Sequence, residues 1–366
     1  MKIICTIENL KSAVATAERF TGRHITLPIL SYLLIKSDDK KTTITATNLE
    51  TGIEYTFPSK TQKTGIITAP AKPLNQLLQS IDGEQITIES KQNHLIIRTA
   101  ASDTTLLSLN PDDFPSLPII KKDYTFTITS DIFISSLQQV IPSVSSSDIK
   151  PEISGVFLNI SPEKIIIAAT DSFRLAEKTI EKCDGIKNST ECIVPARTIQ
   201  ELIRTIQSSN TDDVCVSLGE RQIVFEWNDV RIISRLIDGA YPPYRNIIPK
   251  AYETTLFINR DDFLKKIRLA SIFSSRLNDV TLKFSTTELE ISTSNADMGN
   301  TTSRLNIKGR GASGSVVFNY RYLLDGLAAF NEENVVLNLN GVSGPALLQN
   351  QNDQTILYLL MPIRSV

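Results

Sequence analysis

A pattern that recurs three times at a nearly fixed interval restricts this chain more than any other feature, because each copy must build the same unit. Each copy opens on a short β-rich run that leads into a helix start. The runs are 2–7 before Glu8, Asn9 and Leu10, 124–129 before Ser130, Asp131 and Ile132, and 254–258 before Asn259, Arg260 and Asp261. The helices that follow carry apolar residues three and four apart: Leu10, Val14 and Ala17; Phe133, Leu137, Val140 and Ile141; Phe263, Ile267 and Ala270. Glu8, Asp131, Asp261 and Asp262 fall in or beside first turns, where the helix dipole favours anions.

A second strand-then-helix unit comes later in each copy. Residues 66–68 lead to Leu74, Leu77, Leu78 and Ile81; 192–194 to Ile199, Leu202, Ile203 and Ile206; 315–318 to Tyr320, Leu323, Leu324 and Leu327. These strands start 126 and then 123 residues apart (192 minus 66, 315 minus 192), which points to duplication with little identity left. Three short strands separated by Gly, Asn and Asp turns follow each second helix, as at 85–89, 94–99 and 104–109, and predict antiparallel sheet. Further β-like runs lie between the two helices, at 33–37, 43–47 and 52–57 in the first copy. The expected fold class is therefore α+β: three repeated domains over 1–123, 124–251 and 252–366, each with two helices on antiparallel sheets of roughly eight strands. Both boundaries follow Pro-marked loops, 113–118 and 241–249.

Charge narrows the function. The net charge of the 366 residues is −2, so any hold on nucleic acid must rest on a local basic face or on topology. The six helical windows carry ten basic and seven acidic residues, a sum of +3, which leaves −5 for the rest. Helix positions such as Asn75, Gln76, Gln79, Gln138, Gln139 and Gln200 can touch phosphates without anchoring them. Cys5, Cys183, Cys192 and Cys215 form no C-x-x-C pair, and His24 and His94 lie far from them, so neither a zinc site nor another cofactor is expected. Free thiols fit a reducing cytoplasm. No run reaches the ~18 apolar residues needed to cross a bilayer.

An enzyme finds little support. Thr170, Asp171 and Ser172 place hydroxyls beside a carboxylate, but no histidine has a triad context, and neither a P-loop nor G-x-S-x-G occurs. The glycine-rich run 309–314 precedes a strand instead of opening a helix, so a hairpin turn is expected there. A non-catalytic β-rich scaffold or interaction protein, such as an adhesin, is the other alternative; the cysteine pattern speaks against a surface protein.

Four motifs in order give the chain a resemblance. Residues 22–30 (GRHITLPIL) resemble G-R-x-T-L-P-I-L with one insertion, and 169–176 (ATDSFRLA) resemble A-T-D-G-H-R-L-A. Asp238, Gly239 and 241–245 (YPPYR) resemble D-G-x-F-P-D-Y-R, and 361–364 (MPIR) resemble a closing M-P-M-R. The family is the bacterial β sliding clamp, the β subunit of DNA polymerase III, and the resemblance spans the whole chain. It implies the DNA clamp fold, with two chains closing head to tail into a homodimeric ring around duplex DNA, sequence-independently and without catalysis. The implied partners are the DNA polymerase III alpha subunit, a clamp loader, and other replication and repair proteins that dock through short linear peptides.

The resemblance further implies a peptide pocket. Its wall would comprise Ile153, Thr170, Ser172, Phe173, Arg174 and Leu175 from the second copy, with Pro242, Asn246 and Ile247 from the loop that follows. Val342, Gly344, Leu359, Met361, Pro362 and Ile363 would complete it from the third. Met and Pro would supply adaptable, pre-bent apolar surface, and Arg174 could hold a carbonyl or carboxylate. DNA contacts are implied at Arg23, Lys72 and Arg197, and a ring joint at Thr104 and Leu106 on an edge strand, with Ile272 and Phe273 as an apolar plug. Ser172 and Phe173 stand where the family has Gly and His, and Pro243 where it has Asp; Ser365 and Val366 lengthen the tail.

Overall fold

The computed structural model describes every residue except 23–25, 119, 121–123, 148, 182–184, 187 and 364–366. Arg23, His24, Cys183, the domain boundary at Asp123 and the tail residues Arg364, Ser365 and Val366 thus lie outside the described residues. The described residues form six α-helices and 26 strands. The helices are α1 (Ile7–Glu18), α2 (Ala71–Gln79), α3 (Ser130–Val140), α4 (Ala196–Gln207), α5 (Arg260–Ser271) and α6 (Tyr320–Ala328).

Local chemistry sets the helix ends. The side chain of Thr6 accepts from Asn9 N, Asn259 from Asp262 N, and Asn319 from Arg321 N, each satisfying an orphan amide of a first turn. The α2 helix stops at Gln79, one residue short of Ser80, so Ile81 lies beyond the helix that its spacing suggested. The chain turns there through Gly83, whose φ of +129° suits glycine.

The chain divides into two compact units, one of residues 1–130 and 200–236, the other of 131–199 and 237–366. The first unit holds a five-stranded sheet in the order Lys60–Lys63, Lys2–Thr6, Gln85–Lys91, His94–Arg98, Asp103–Leu107. It also holds an eight-stranded sheet in which Val230–Arg235, from the second copy of the sequence pattern, pairs with Thr51–Pro58 from the first. The second unit holds a nine-stranded sheet in which Ile356–Leu360, from the third copy, pairs with Arg174–Glu181 from the second. Its four-stranded sheet runs Gly299–Asn306, Glu288–Asn295, Asp279–Phe284, Gly314–Asn319. Every described pairing is antiparallel, as the short turns suggested. The large sheets thus cross from one copy to the next, and the last strand of one copy covers the edge left open in its neighbour.

Each helix buries the stripe seen in the sequence. Leu10, Val14 and Ala17 are fully buried, α1 packs on α2 and α5 packs on α6. A leucine or isoleucine so enclosed contributes about 2 kcal/mol. The glycine-rich run does not form the expected hairpin. Lys308–Gly311 is an edge strand paired with Thr254–Asn259, whereas Gly314–Asn319 joins the other sheet beside Asp279–Phe284. Gly311 sits at φ +105°, and a Cβ there would strike the Glu253 carbonyl, so close strand approach explains this glycine without a phosphate.

Burial raises the thiol pKa of Cys5 and of Cys192 to about 12. Both should therefore stay unmodified by iodoacetamide at pH 8 in the folded protein and react once it is unfolded; peptide mass mapping reads this directly.

Candidate functional sites

The strands Lys164–Thr170 and Arg174–Glu181 form a hairpin whose turn is built by side chains that bond back to the backbone. Thr170 Oγ1 donates to Arg174 O (2.6 Å) and accepts from Ser172 N (3.2 Å). Asp171 Oδ1 accepts from the amides of Phe173 and Arg174, both at 2.9 Å. This forces Ser172 to φ +76°, a conformation that costs a non-glycine residue roughly 1–2 kcal/mol. Ser172→Gly should therefore raise stability by about 0.5 kcal/mol after glycine's own entropy cost, seen as a higher urea midpoint with unchanged slope.

The turn displays Phe173, which is 61% exposed, beside Arg174, which is not free. The Arg174 guanidinium donates to Asp171 Oδ2 (2.9 Å), Asp325 Oδ2 (2.5 Å) and Tyr358 Oη (3.4 Å), and lies 4.3 Å over the Tyr322 ring. Burial works against its charge, but Tyr358, Asp325 and Asp171 outweigh it and hold the group protonated well above its ordinary range. Arg174 therefore braces the hairpin against α6, in addition to any contact it offers a ligand. Met361 N donates to Phe173 O (2.8 Å), which brings the C-terminal segment alongside the turn. Leu175 and Leu359 are cross-strand partners in one apolar cluster with Phe157, Tyr244 and Leu347, and Met361 packs on its margin. Thr170, Ser172, Phe173, Arg174, Leu175, Leu359 and Met361 are thus brought to one place.

The other expected pocket residues are distributed differently. Pro242 and Asn246 line an adjoining cavity of about 270 Å³ with Phe157 and Tyr241, whose rings stack at 4.7 Å. The loop carrying them is tied down by Tyr244 Oη donating to Glu177 Oε2 and by Arg245 Nε at 3.2 Å from the same oxygen. Burial first and the Glu177 carboxylate second push the Tyr244 phenol far above its usual pKa. Ile247, 50% exposed, ends the 3₁₀ turn Tyr244–Ile247. Ile153 is buried in the 3₁₀ turn Pro151–Ile153. Val342 is exposed and Gly344 half-buried on the loop before Ala346–Gln349. Pro362 is buried, and Ile363 N donates to Val317 O (2.8 Å), which ties the tail to Gly314–Asn319. Sequence reasoning missed Tyr322, Asp325 and Tyr358 around Arg174; Tyr322 and Asp325 are three apart on α6 and Tyr358 adjoins Leu359, but their convergence on Arg174 is a tertiary fact.

Lys72 and Arg197 are exposed in the first turns of α2 and α4. Arg321 has the same place in α6, exposed, and was not among the expected contacts. The repeat could have shown it, since 197 minus 72 is 125 and 321 minus 197 is 124. A cation in a first turn opposes the helix dipole, so local helix stability does not explain these three. Arg19, which caps the C-terminus of α1, is instead held by Glu201 Oε2 (2.8 Å) and Thr205 Oγ1 (3.2 Å) of α4.

Asp103–Leu107 is an edge strand, as expected, but its Thr104 and Leu106 side chains are half-buried and Leu107 is the exposed one, at 68%. The period of two turns Leu106 toward its own sheet's core side and Leu107 outward. Ile272 is 56% exposed, and the Phe273 ring lies 3.8 Å from where a Cβ on Gly299 would be, at the start of the edge strand Gly299–Asn306. Met298, just before this strand, and Leu277, in the loop after α5, are also exposed, in positions where no periodicity marks them.

Known structures share this fold over the full chain. The sliding clamp of Bacillus subtilis DNA polymerase superposes with a TM-score of 0.95 at 25% identity, covering all of both chains. The clamp of Bartonella birtlesii, solved bound to griselimycin, does so with a TM-score of 0.95 at 26% identity, again over all of both. The fold and its repeated helix–sheet units are those of a DNA sliding clamp. Among curated relatives, the beta sliding clamp of Synechocystis sp. is 28% identical with both chains fully covered, and that of Staphylococcus epidermidis 27% with 93% of each covered. The DNA polymerase III beta subunit N-terminal, central and C-terminal domains match residues 1–118, 127–243 and 245–364. The chain belongs to the DNA polymerase III beta subunit family, whose members are non-catalytic processivity factors.

Proposed function

We propose that this chain acts in the bacterial cytoplasm as a sliding clamp: two copies close head to tail around duplex DNA and tether the replicative polymerase. The observation that carries this is full-length agreement in fold with sliding clamps, together with family matches along nearly the whole chain. We place the repeat boundaries near Asp123 and Ala251. Lys72, Arg197 and Arg321 face the DNA, with Arg23, as weak and sequence-blind phosphate contacts that permit sliding. The joint forms where the edge strand Asp103–Leu107 of one chain meets Gly299–Asn306 of the other, burying Leu107, Ile272, Phe273, Leu277 and Met298. Exposed apolar side chains beside two unpaired strand edges support that reading.

The cluster around the 170–174 turn is the docking pocket. Phe173, Leu175, Leu359 and Met361 present apolar surface, with Ile153, Ile247, Val342, Gly344, Pro362 and Ile363 at its margins. It takes short peptides of the polymerase alpha subunit, the clamp loader and repair proteins, and griselimycin occupies it when bound. Arg174 holds the turn in shape. Ring opening requires an ATP-driven loader, since this chain carries no nucleotide motif.

Mobility on DNA tests the proposal. After loading, the protein should remain on nicked circular DNA through gel filtration and leave within minutes once that circle is cut. Retention that ignores DNA ends would point to the scaffold alternative.

A further inference from the structure

The second copy covers one face of its sheet with its own chain, whereas the first copy leaves the matching place open. In the second copy, Phe157, Ala168, Glu177 and Leu357 form one cross-strand row. The strap 241–247 lies on that row. Tyr241 stacks on Phe157, and the side chains of Tyr244 and Arg245 both bond the Glu177 carboxylate. What remains is a cavity of about 270 Å³, and the Glu177 side chain is only 11% exposed.

The same row in the first copy is Leu34, Thr45, Glu54 and, from the joining strand, Arg231. Its strap, 111–118, sets Phe114 in an apolar cluster with Leu34, much as Tyr241 meets Phe157. Three and four residues further on, however, it carries Leu117 and Pro118 where the other strap carries Tyr244 and Arg245. Neither side chain has a donor for a carboxylate. Among the described residues only Arg231 bonds Glu54, at 3.0 Å, and Arg231 is shared with Glu226 at 3.6 Å. The Glu54 side chain stays 36% exposed. The result is a groove of about 810 Å³, lined by five carboxylates and two cations, with the exposed Ile66 as an apolar end. That volume lies in the range of ligand clefts, roughly 300–1,000 Å³. A lining with excess negative charge repels phosphate, which excludes nucleic acid as the occupant.

We propose that this groove binds a short peptide segment that brings what the first strap lacks: an arginine for Glu54, as Arg245 serves Glu177, and an aliphatic side chain for Leu34 and Ile66. Leu34 and Glu54 are two strands apart, about 10 Å. One turn of a polyproline II helix rises about 9 Å and returns residue i+3 to the face of residue i. The pattern recognised is therefore an aliphatic residue and an arginine three positions apart, in a proline-rich segment without acidic side chains.

Calorimetric titration of the full-length protein with acetyl-Gly-Leu-Pro-Pro-Arg-Gly-amide tests this. Saturable binding of one peptide per chain is expected. Replacing the peptide's arginine by glutamate should weaken it at least about tenfold, and placing leucine and arginine side by side, as in Gly-Pro-Leu-Arg-Pro-Gly, about fivefold. Glu54→Gln and Ile66→Ser should each weaken the parent peptide about fivefold, the scale of one partly exposed contact. Ile66 is exposed, so its variant keeps the test sound if loss of the Glu54 charge loosens Arg231. Absence of saturable binding up to about 1 mM overturns the proposal, as does equal binding of either altered peptide. Binding left unchanged by Ile66→Ser, or by a folded Glu54→Gln, places the peptide elsewhere and overturns it too.

Discussion

Phe173→Ala combined with Met361→Ala should reduce clamp-dependent primer extension on a singly primed circle by about a hundredfold at limiting polymerase. Both side chains lie at the surface of one apolar cluster, joined by the hydrogen bond from Met361 N to Phe173 O. Truncating two apolar anchors of a small peptide interface removes roughly 1–2 kcal/mol each, and every 1.4 kcal/mol is tenfold in affinity. Neither change removes a side-chain hydrogen bond or opens a sealed cavity, because Phe173 is mostly exposed and Met361 is half-buried. The melting temperature and the retention on nicked circles should therefore stay at wild-type values. Full stimulation by this variant would show that the polymerase docks elsewhere.

Arg174→Ala should instead lower the stability of the protein by about 3 kcal/mol, as expected when one member of a buried ion pair is removed. The Arg174 side chain is only 11% exposed and Asp171 only 12%, so the carboxylate left behind cannot fully rehydrate. Asp325 is more open and contributes less. Arg174→Lys should recover under half of the loss, since a point charge cannot reach Asp171 and Asp325 while lying on the Tyr322 face. Urea unfolding reads both variants. A cost below 1 kcal/mol for the alanine would mean that these bonds act like exposed ones. For this reason the Phe173 and Met361 pair tests docking more cleanly than any variant of Arg174.

The helices and most strands were legible in the sequence because their burial is periodic. The stripe Phe263, Ile267 and Ala270 is fixed by local spacing, and the strand His94–Arg98 likewise buries every second residue. What the sequence did not show is where one copy's strand finds its partner. The pairing of Ile356–Leu360 with Arg174–Glu181 is set some 180 residues apart, by edges that need covering and not by any local pattern. The site divides the same way. The turn at Asp171 is encoded within five residues, so its motif could be recognised. The enclosure of Arg174 by Tyr322, Asp325 and Tyr358 depends on α6 docking, and Leu107 was overlooked because the phase of a short edge strand decides which leucine points out.

Sheets shared between copies also determine what can break. Cutting the chain between its first and second copies would strip Thr51–Pro58 of Val230–Arg235, and five backbone registrations with it, leaving a long bare edge prone to recruit other chains. Duplication thus produced segments that are alike in plan yet cannot live apart. In the ring proposed above, the joints between separate polypeptides are the places that can part without breaking a shared sheet, and opening is expected there.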